Sequence, residues 1–341
     1  MKFIFIILLS IVIGSTTIFS QTNFDISKRA TTVASFLSIS QGAKATGMGS
    51  AFVALVDDQS AIYWNAAGLT DLTSNGILFE NTNWIAGVNY NYLAGSFNLG
   101  SWGTIGLSFI SSNIEDMDVT TIEDPEGTGE TFSVSDVAFS IAYAIKLTDN
   151  FSIGFNPKFI SQKIWRMSAT AIAIDMGVKY VTPFDGIVLG MSISNFGTPM
   201  RLQGKSALVL YDPNPNTSIN NDKIPAELQT ESWELPLNFR AGIAYSPLNT
   251  NMHKILVAID ALHPSDDYES INLGAEYTFS DVLSIRGGYK SLFLPDTEES
   301  FTLGLGLKVQ FLNNIAAKVD YAYVDFGRLS NVQKFSLSIL L

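Results

Sequence analysis

The residues of this sequence that could carry out chemistry are few and far apart. The chain has two histidines, His253 and His263, and no cysteine. Neither histidine has a metal-like partner four residues away, and no thiolate is available as a ligand or nucleophile. Gly47-x-Gly49 lacks the third spaced glycine and the following lysine of a phosphate-binding loop. With no catalytic triad order and no paired-carboxylate cleft, the sequence predicts a protein that is not an enzyme and uses no cofactor or metal.

The adjacent carboxylates Asp57 and Asp58 have two interpretations. They precede a short helix-prone stretch, Ala61 to Ala67, which Gly68 would end, so they can cap a helix and meet the positive end of its dipole. Alternatively, one of them pairs with an arginine of the surrounding structure, Arg240 or Arg286, and acts as a latch. Which interpretation holds depends on the secondary-structure elements around Asp57 and Asp58.

The overall composition narrows the class of protein. The chain of 341 residues is 47% hydrophobic and 12% aromatic but only 15% charged, with a net charge of −12. About 25% charged residues is usual for a soluble domain. The acidic balance and the lack of a basic patch argue against nucleic acid as a partner. After the first 20 residues no apolar run reaches the ~18 residues expected of a spanning helix. A hydrophobic chain without such helices predicts a membrane β-barrel.

Residues 1–20 have the pattern of a secretory signal peptide. Lys2 precedes an apolar core from Phe3 to Leu9, and small residues lead to Ser20. The apolar stretch is shorter than the roughly 20 residues of a membrane anchor. Cleavage after Ser20 would leave 321 residues with a net charge of −13. We therefore expect export to the outer membrane of a Gram-negative-type envelope, with its lipid as a partner.

The apolar residues of the long C-terminal region alternate with polar ones. Phe301, Leu303, Leu305, Leu307 and Val309 alternate with small or charged residues, and the final residues to Leu341 do the same. This period of two is that of a β-strand with one apolar face. A soluble β-sandwich would also alternate, but its outer face would be rich in charge.

Turn signals divide the region 76–341 into fourteen segments, the even number that a closed antiparallel barrel requires. The predicted strands are 76–84, 86–99, 102–115, 130–147, 150–166, 168–182, 186–196, 232–247, 251–263, 267–280, 281–293, 297–310, 313–326 and 330–341. Tight connections alternate with longer ones, which is typical of periplasmic turns and outward loops. The longest loop, 197–231, contains four prolines. The predicted fold class is all-β: a transmembrane antiparallel β-barrel of about 14 strands.

Isolated charges on the polar faces form a predicted lumen charge network. An ion inside a barrel must be paired or hydrated. The network either holds strand register as an electrostatic scaffold or forms a polar conduit for a solute. Its members are Asp175, Lys179, Arg240, Asp260, Glu276, Arg286, Lys308, Lys318 and Asp320.

Aromatic residues near the strand ends predict belts at the two membrane interfaces. These are Trp84, Tyr90, Tyr92, Trp102, Trp165, Tyr180, Tyr245, Tyr277, Tyr289 and Tyr323.

Residues 21–75 do not alternate and predict a small N-terminal plug of helix and loop. A fourteen-stranded barrel is wide enough to leave a lumen that such a segment can fill. The plug motif comprises Gly47, Gly49, Asp57, Asp58, Trp64, Asn65 and Gly68.

This motif resembles the N-terminal hatch of the PorV/PorQ family, which is related to the FadL-type outer-membrane barrels. The resemblance rests on Gly42-Ala43-x-Ala45-Thr46-Gly47-Met48-Gly49, Asp57-Asp58 and Trp64-Asn65-x-Ala67-Gly68-Leu69, and on Arg286-Gly287-Gly288-Tyr289-Lys290 and Asp320-Tyr321-Ala322-Tyr323 in the barrel. It extends over essentially the whole exported chain. The departure is Ala66, where the family has proline.

The resemblance implies a fourteen-stranded barrel with a plug near the periplasm, and two different functions. Proteins similar to PorV serve type IX secretion, and by this analogy the chain would dock the C-terminal signal domains of secreted proteins or subunits of the secretion machine. FadL-type relatives instead admit hydrophobic small molecules, which is the alternative function. The predicted charged wall favours docking, since a transporter needs an apolar pocket beside the hatch.

Overall fold

The computed structural model of this protein describes residues 28–213, 223–312 and 315–341. The predicted signal peptide, residues 1–20, and the start of the predicted plug, residues 21–27, lie outside the described residues. The part of the loop from Asn214 to Asn216 also lies outside them.

Fourteen antiparallel strands form one closed barrel. Each strand pairs with the next along the chain, and the last pairs with the first from Leu340 opposite Gly76 to Gln333 opposite Asn83. This closure confirms the predicted fold class. The strands are β1 (Gly76–Asn83), β2 (Asn89–Asn98), β3 (Thr104–Asn113), β4 (Val134–Thr148), β5 (Phe151–Ile164), β6 (Met167–Val181), β7 (Ile187–Gly197), β8 (Asn238–Asn249), β9 (His253–Pro264), β10 (Ser270–Phe279), β11 (Leu283–Leu292), β12 (Phe301–Leu312), β13 (Ile315–Asp325) and β14 (Asn331–Leu340).

The period-two alternation places the apolar residues on the outside. On β12, Leu303, Leu305 and Leu307 are exposed, whereas Thr302, Gly304 and Gly306 between them are buried. On β14, Phe335 and Leu337 are exposed and Lys334 and Ser336 are buried. A soluble sandwich would show the reverse, so the exterior is a surface for lipid and the protein is an outer-membrane β-barrel.

Three strands begin at least four residues later than the sequence pattern predicts: β4, β8 and β12, which starts at Phe301 instead of 297. The segment predicted at 232–247 enters the barrel only at Asn238, because Pro236 has no N–H to donate to a neighbouring strand. Ser232–Trp233 pairs instead with Met200–Arg201. Likewise the segment predicted at 130–147 enters at Val134, and Thr131–Phe132 pairs with Met117–Asp118. Both short pairs belong to loops.

The connections define two different rims. The short-turn rim has the links 99–103, 149–150, 182–186, 250–252 and 280–282, and there Leu312 of β12 pairs with Ile315 of β13. The loop rim has the long links 114–133 and 198–237 and five shorter ones, of which 165–166 is as tight as any turn on the opposite rim. In the loop 198–237, Gln203–Gly204 pairs with the edge of β6, and Leu208–Tyr211 forms a hairpin with Ile224–Glu227. Short turns on one side and long loops on the other orient the loop rim outward.

The helices of the described residues are short and lie mostly before β1. They are α1 (Ala43–Gly47) and α2 (Ala61–Trp64), with 3₁₀ turns at Ser35–Ser38, Ala66–Asp71, Ile85–Gly87, Gly100–Trp102, Lys205–Ala207 and Gly327–Leu329. Within the part of the chain that the structure describes, no helix has both the length and the apolar character needed to cross a bilayer.

The predicted helix from Ala61 to Ala67 is shorter than expected. It ends at Trp64 because Asn65 has extended backbone angles, and the Asn65 side-chain oxygen accepts a hydrogen bond from the Ala67 N–H. Gly68 therefore does not end α2; it lies inside the following 3₁₀ turn, with no room for a Cβ beside Val56.

Candidate functional site in the plugged lumen

Residues 28–75, the plug from here on, run through the barrel from one rim to the other. Near the loop rim, Arg29 bonds Asp267 at 2.9 Å and Thr32 bonds Asp266 at 2.6 Å. At the short-turn rim, the Asn75 carbonyl accepts the Leu341 N–H at 2.8 Å. The plug therefore fills the barrel along its length and is buried over most of residues 34–69.

Glycines of the barrel wall receive the plug backbone at close range. A Cβ added at Gly274 or Gly288 would overlap the backbone of Met48 and Gly49, and one at Gly304 would lie 3.1 Å from the Gly47 Cα. The same is true at Gly154 and Gly190, whereas Gly106 and Gly177 face plug side chains, those of Ile62 and Asn65. The polar face that alternation predicts is thus a fitted surface for the plug as well as a lumen wall.

The geometry of the plug explains why its motif has glycine at positions 47 and 49. Gly49 has a φ of +65° and a Cβ there would overlap the Leu273 carbonyl, so only glycine fits both the backbone angle and the space. Gly47 lies against Gly304, and its carbonyl accepts a hydrogen bond from the Thr302 hydroxyl at 3.1 Å. Neither glycine faces a site for phosphate.

Polar side chains also tie the plug to the wall. The Asp260 carboxylate accepts the N–H groups of Phe52 and Val53 at 2.7 and 2.9 Å. The Asn65 amide donates to the carbonyls of Val53 and Val178, both at 2.9 Å. These bonds satisfy backbone groups that would otherwise be buried without partners.

Part of the predicted lumen charge network forms one connected group. Arg286, 2% exposed, donates to Glu276 at 2.5 Å and to Asp320 at 2.6 Å, which links β10, β11 and β13. Lys318 lies 3.6 Å from Asp320, and Lys44 of the plug lies 3.4 Å from Glu276. Arg286 thus pairs with the adjacent strand β10 and, over Gly306 of the intervening β12, with β13.

The other predicted members lie apart from this group. Asp175 pairs with Lys158 at 2.8 Å, Lys179 with Asp71 of the plug at 2.9 Å, and Lys308 with Asp281 at the short-turn rim at 2.7 Å. Asp175 and Lys179 lie on one strand without pairing to each other. Arg240 and Asp260 are described with the cavity below.

Sequence reasoning missed several charged residues of the lumen. Glu80 on β1 and Lys334 on β14 are both buried and lie 3.4 Å apart, and Lys334 also donates to the Ser40 carbonyl of the plug. Both occupy the inner face of an alternating strand, so strand parity could have found them. Lys44 and Asp71 lie in the plug, where no periodic pattern exists to mark an inward residue.

The latch between Asp57 or Asp58 and an arginine of the wall is not present. Asp57 pairs with Lys44 at 2.6 Å, within the plug itself. The Asp58 carboxylate accepts the Ser60 N–H at 2.9 Å, so it caps the turn that leads into α2. Arg286 is reached only indirectly, through Lys44 and Glu276.

The environment shifts the pKa values of these plug residues in different directions. Burial would lower the pKa of Lys44, but Asp57 and Glu276 outweigh burial and raise it. Burial would raise the pKa of Asp57, but Lys44 and Lys318 outweigh burial and lower it. For Asp58, burial is the largest cause and raises the pKa. One ion pair and one buried carboxylate therefore lie side by side.

The plug separates two cavities. The loop-side cavity has a volume of about 550 Å³, and the turn-side cavity about 410 Å³. Charged residues such as Lys44, Glu276 and Lys318 line the turn-side cavity. The loop-side cavity has an aromatic and apolar part that includes Ile39, Trp64, Trp84, Tyr90, Leu262 and Phe326. Among the described residues, none lines both cavities.

Three aromatics predicted for the membrane belts face the lumen instead. Tyr90 and Tyr92 are buried, because Leu93 and Phe97 take the outer face of β2. Trp84 packs edge-on against Tyr90 and Phe326, with ring centroids 6.1 and 5.1 Å away. Of the remaining predicted belt residues, Tyr323 is half-buried, and Trp102, Trp165, Tyr180, Tyr245, Tyr277 and Tyr289 are exposed.

Arg240 lies in the loop-side cavity under the plug. It is 5% exposed, and its guanidinium lies 5.1 Å from the ring centre of Trp64 and 5.5 Å from that of Tyr63. Asp260, on the neighbouring strand, uses one carboxylate oxygen for the plug backbone as described above. Arg240 thus contacts the plug through ring faces, which is a cation–π arrangement.

No acidic, histidine or cysteine cluster that could hold a metal occurs among residues 28–213, 223–312 and 315–341. His253 lies 2.8 Å from the Tyr277 hydroxyl, and His263 pairs with Glu269 at the loop rim.

The fold is that of known outer-membrane channels. No protein-family model matches the chain, and no curated protein matches its sequence. Among solved structures, the chain is similar to the CymD monoaromatic hydrocarbon channel, with a TM-score of 0.54 and 14% identity over 88% of this chain and 96% of that one. It is also similar to the toluene transporter TodX of Pseudomonas putida, with a TM-score of 0.53 and 12% identity over 88% and 97% of the two chains.

A third similar structure is the toluene transporter TbuX of Ralstonia pickettii, with a TM-score of 0.51 and 11% identity over 88% of this chain and 97% of that one. At these identities the likeness establishes the fold alone: a closed β-barrel like those of outer-membrane channels.

Proposed function

We propose that this protein is an outer-membrane channel that admits a small hydrophobic molecule through the loop-side cavity, and that the plug is its gate. The observation that carries this proposal is the pair of cavities separated by one short plug. A molecule bound on the loop side needs only the plug to move in order to reach the turn side.

The lining of the loop-side cavity supports a hydrophobic ligand. Trp64, Trp84, Tyr90 and Phe326 offer ring faces and edges, and ligand pockets in proteins are mostly apolar and aromatic with a few polar groups. The volume of about 550 Å³ lies within the roughly 300–1,000 Å³ of small-molecule sites. The cavity lies beside the plug, where a transporter needs it.

The charged wall, which favoured docking in the sequence, does not exclude the channel interpretation. The ion pairs of Arg286, Glu276 and Asp320 lie toward the turn-side cavity. The loop-side cavity also has charged residues in its lining, but it adds an aromatic part that the described lining of the turn-side cavity lacks. The interpretation from the PorV/PorQ resemblance, docking of secreted proteins, has no such supporting cavity. The similar solved structures are described as hydrocarbon channels and toluene transporters, which favours the channel interpretation.

A disulfide that locks the plug tests its role as a gate. The Thr70 hydroxyl of the plug lies 2.9 Å from the Ser152 hydroxyl of β5, so the double variant Thr70→Cys with Ser152→Cys places two thiols close together in a chain without other cysteines. We expect cells with the oxidised variant to take up the hydrophobic dye N-phenylnaphthylamine no faster than cells without the protein. Reduction should restore uptake.

The matched control bridges two wall strands and leaves the plug free. The Ser108 and Ser140 hydroxyls of β3 and β4 lie 2.7 Å apart, so Ser108→Cys with Ser140→Cys gives a disulfide within the wall. Oxidation of this pair should leave dye uptake unchanged. Equal uptake by the oxidised and reduced plug-locked variant would show that the plug is not a gate.

A further inference from the structure

Arg240 differs from the other buried cations of the barrel. Lys44, Lys179, Arg286 and Lys334 each have a carboxylate within ion-pair distance. Among the described residues, no carboxylate lies within that distance of Arg240, although Arg240 is as buried as they are. An unpaired buried charge is costly, so an arginine kept in such a place invites a functional explanation.

The hydrogen-bonding edges of this guanidinium are incompletely used. Its Nε and Nη1 have no hydrogen-bond partner, although the guanidinium carbon lies over the rings of Tyr63 and Trp64. Two neighbours on the same wall, Ser192 and Asn238, also have a side-chain oxygen without a partner. Ser192 pairs with Arg240 across β7 and β8, and Asn238 lies two residues before Arg240 on β8. Unsatisfied polar groups are thus concentrated around Arg240.

Four of the five acidic residues that line the same cavity are engaged elsewhere, and the fifth, Asp296, interacts electrostatically with Arg328. Asp267 is paired with Arg29, Glu299 with Lys290, and Glu298 with Arg328. Asp266 accepts a bond from Thr32. These carboxylates therefore leave Arg240 as the cation of the cavity that is open to an anion from outside the chain.

We propose that Arg240 binds the carboxylate of a small organic acid whose apolar, planar body lies among the aromatic residues of the loop-side cavity. This inference rests on the proposed function and names its ligand class. A guanidinium and a carboxylate form charge-assisted hydrogen bonds, and ring edges of the cavity suit a flat apolar body. The names of the similar solved structures refer to uncharged hydrocarbons, whereas a ligand held by Arg240 in this way carries a negative charge.

Binding to the purified barrel in detergent tests this assignment directly. By calorimetry we expect phenylacetate to bind more tightly than phenethyl alcohol, which has a similar shape but no charge. Arg240→Met should weaken phenylacetate binding by about tenfold or more, since a hydrogen bond to a charged group is lost, and should leave phenethyl alcohol binding unchanged. Arg240→Lys, which keeps the charge, should restore part of the affinity. Arg166→Met removes an exposed arginine that pairs with Glu130 and serves as the matched control.

Two results would overturn the assignment. One is equal binding of phenylacetate by the wild type and Arg240→Met; the other is competition by inorganic phosphate as effective as that by phenylacetate, which would indicate a general anion site. The wild-type comparison of acid and alcohol needs no variant, so equal binding of the two refutes the ligand class even if Arg240→Met fails to fold. Plug-gated dye uptake without a preference for the acid would leave the channel function standing and refute this ligand class. No dye uptake and no binding would refute both.

Discussion

At the scale of single residues, two adjacent carboxylates of the plug respond to pH in opposite ways. The pKa of Asp57 is lowered below its usual 3.8, so Asp57 stabilises the docked plug above that pH, and its contribution is lost as the pH falls toward the lowered value. The pKa of Asp58 is raised, so the docked plug binds a proton more tightly there than the free plug does. Docking through Asp58 therefore strengthens as the pH falls through the raised value.

Replacing each carboxylate by its amide separates the two effects. Asp57→Asn should weaken plug docking at neutral pH by about 0.5–1 kcal/mol, because the pair with Lys44 is lost and Asp57 is 48% exposed and partly screened. Asp58→Asn keeps an oxygen for the Ser60 N–H, so docking at neutral pH should not fall. Hydrogen–deuterium exchange of residues 43–64 across the acid range measures docking.

The shapes of the two pH profiles identify each carboxylate. Asp57→Asn should lose the weakening of plug docking that is expected below about pH 4 in the wild type. Asp58→Asn should lose the strengthening instead. Identical profiles for the two variants would show that neither carboxylate controls docking.

At the scale of elements, the plug and the wall fit through glycine. Gly288 faces the plug, and a Cβ there would overlap the Gly49 backbone, whereas a Cβ at the adjacent Gly287 would have the Thr302 carbonyl 4.0 Å away as its nearest neighbour. Because successive residues of a strand face opposite sides, these two glycines are a matched pair.

We expect Gly288→Ala to weaken plug docking by about 1–3 kcal/mol, the usual effect of overpacking, and to increase dye uptake. Gly287→Ala should behave as the wild type in both the exchange and the uptake measurements. Similar effects of the two substitutions would indicate that alanine disturbs the strand itself, and would contradict the fitted contact between plug and wall.

The elements could be predicted from the sequence to very different extents. The fourteen strands follow from alternation, because a strand with lipid outside and small polar residues inside repeats every second residue. The prediction of a helix through Ala67 was wrong, because Asn65 bonds Val178 on a strand more than a hundred positions away. Local helix propensity gives no information about such a distant contact. Tyr90 and Tyr92 were misplaced for a similar reason: a tyrosine suits both a membrane interface and an enclosed wall, and only the parity of β2 decides.

At the scale of the whole molecule, the outer surface of the barrel must face lipid all the way round. Leu305 lies in the middle of β12 and is 53% exposed. Leu305→Arg should lower the free energy of unfolding in lipid vesicles by about 2–4 kcal/mol, the effect of an arginine near the bilayer midplane. Leu329→Arg, at a site 50% exposed on the loop rim, should change it by less than about 0.5 kcal/mol.

Urea unfolding followed by tryptophan fluorescence measures both variants. Equal destabilisation by the two substitutions would mean that the apolar band is not at the depth that the strands indicate.

The passage of the plug from rim to rim also constrains how the molecule is made. Residues near Arg29 are fastened among the outer loops, while Asn75 leads into β1, whose edge is sealed by the C-terminal strand. A plug that is bonded to the loop rim and continues into β1 at the short-turn rim is hard to insert into a barrel that has already closed. We therefore expect β1 and β14 to pair only after the other strands have formed around the plug. Their pairing would be the final step of assembly.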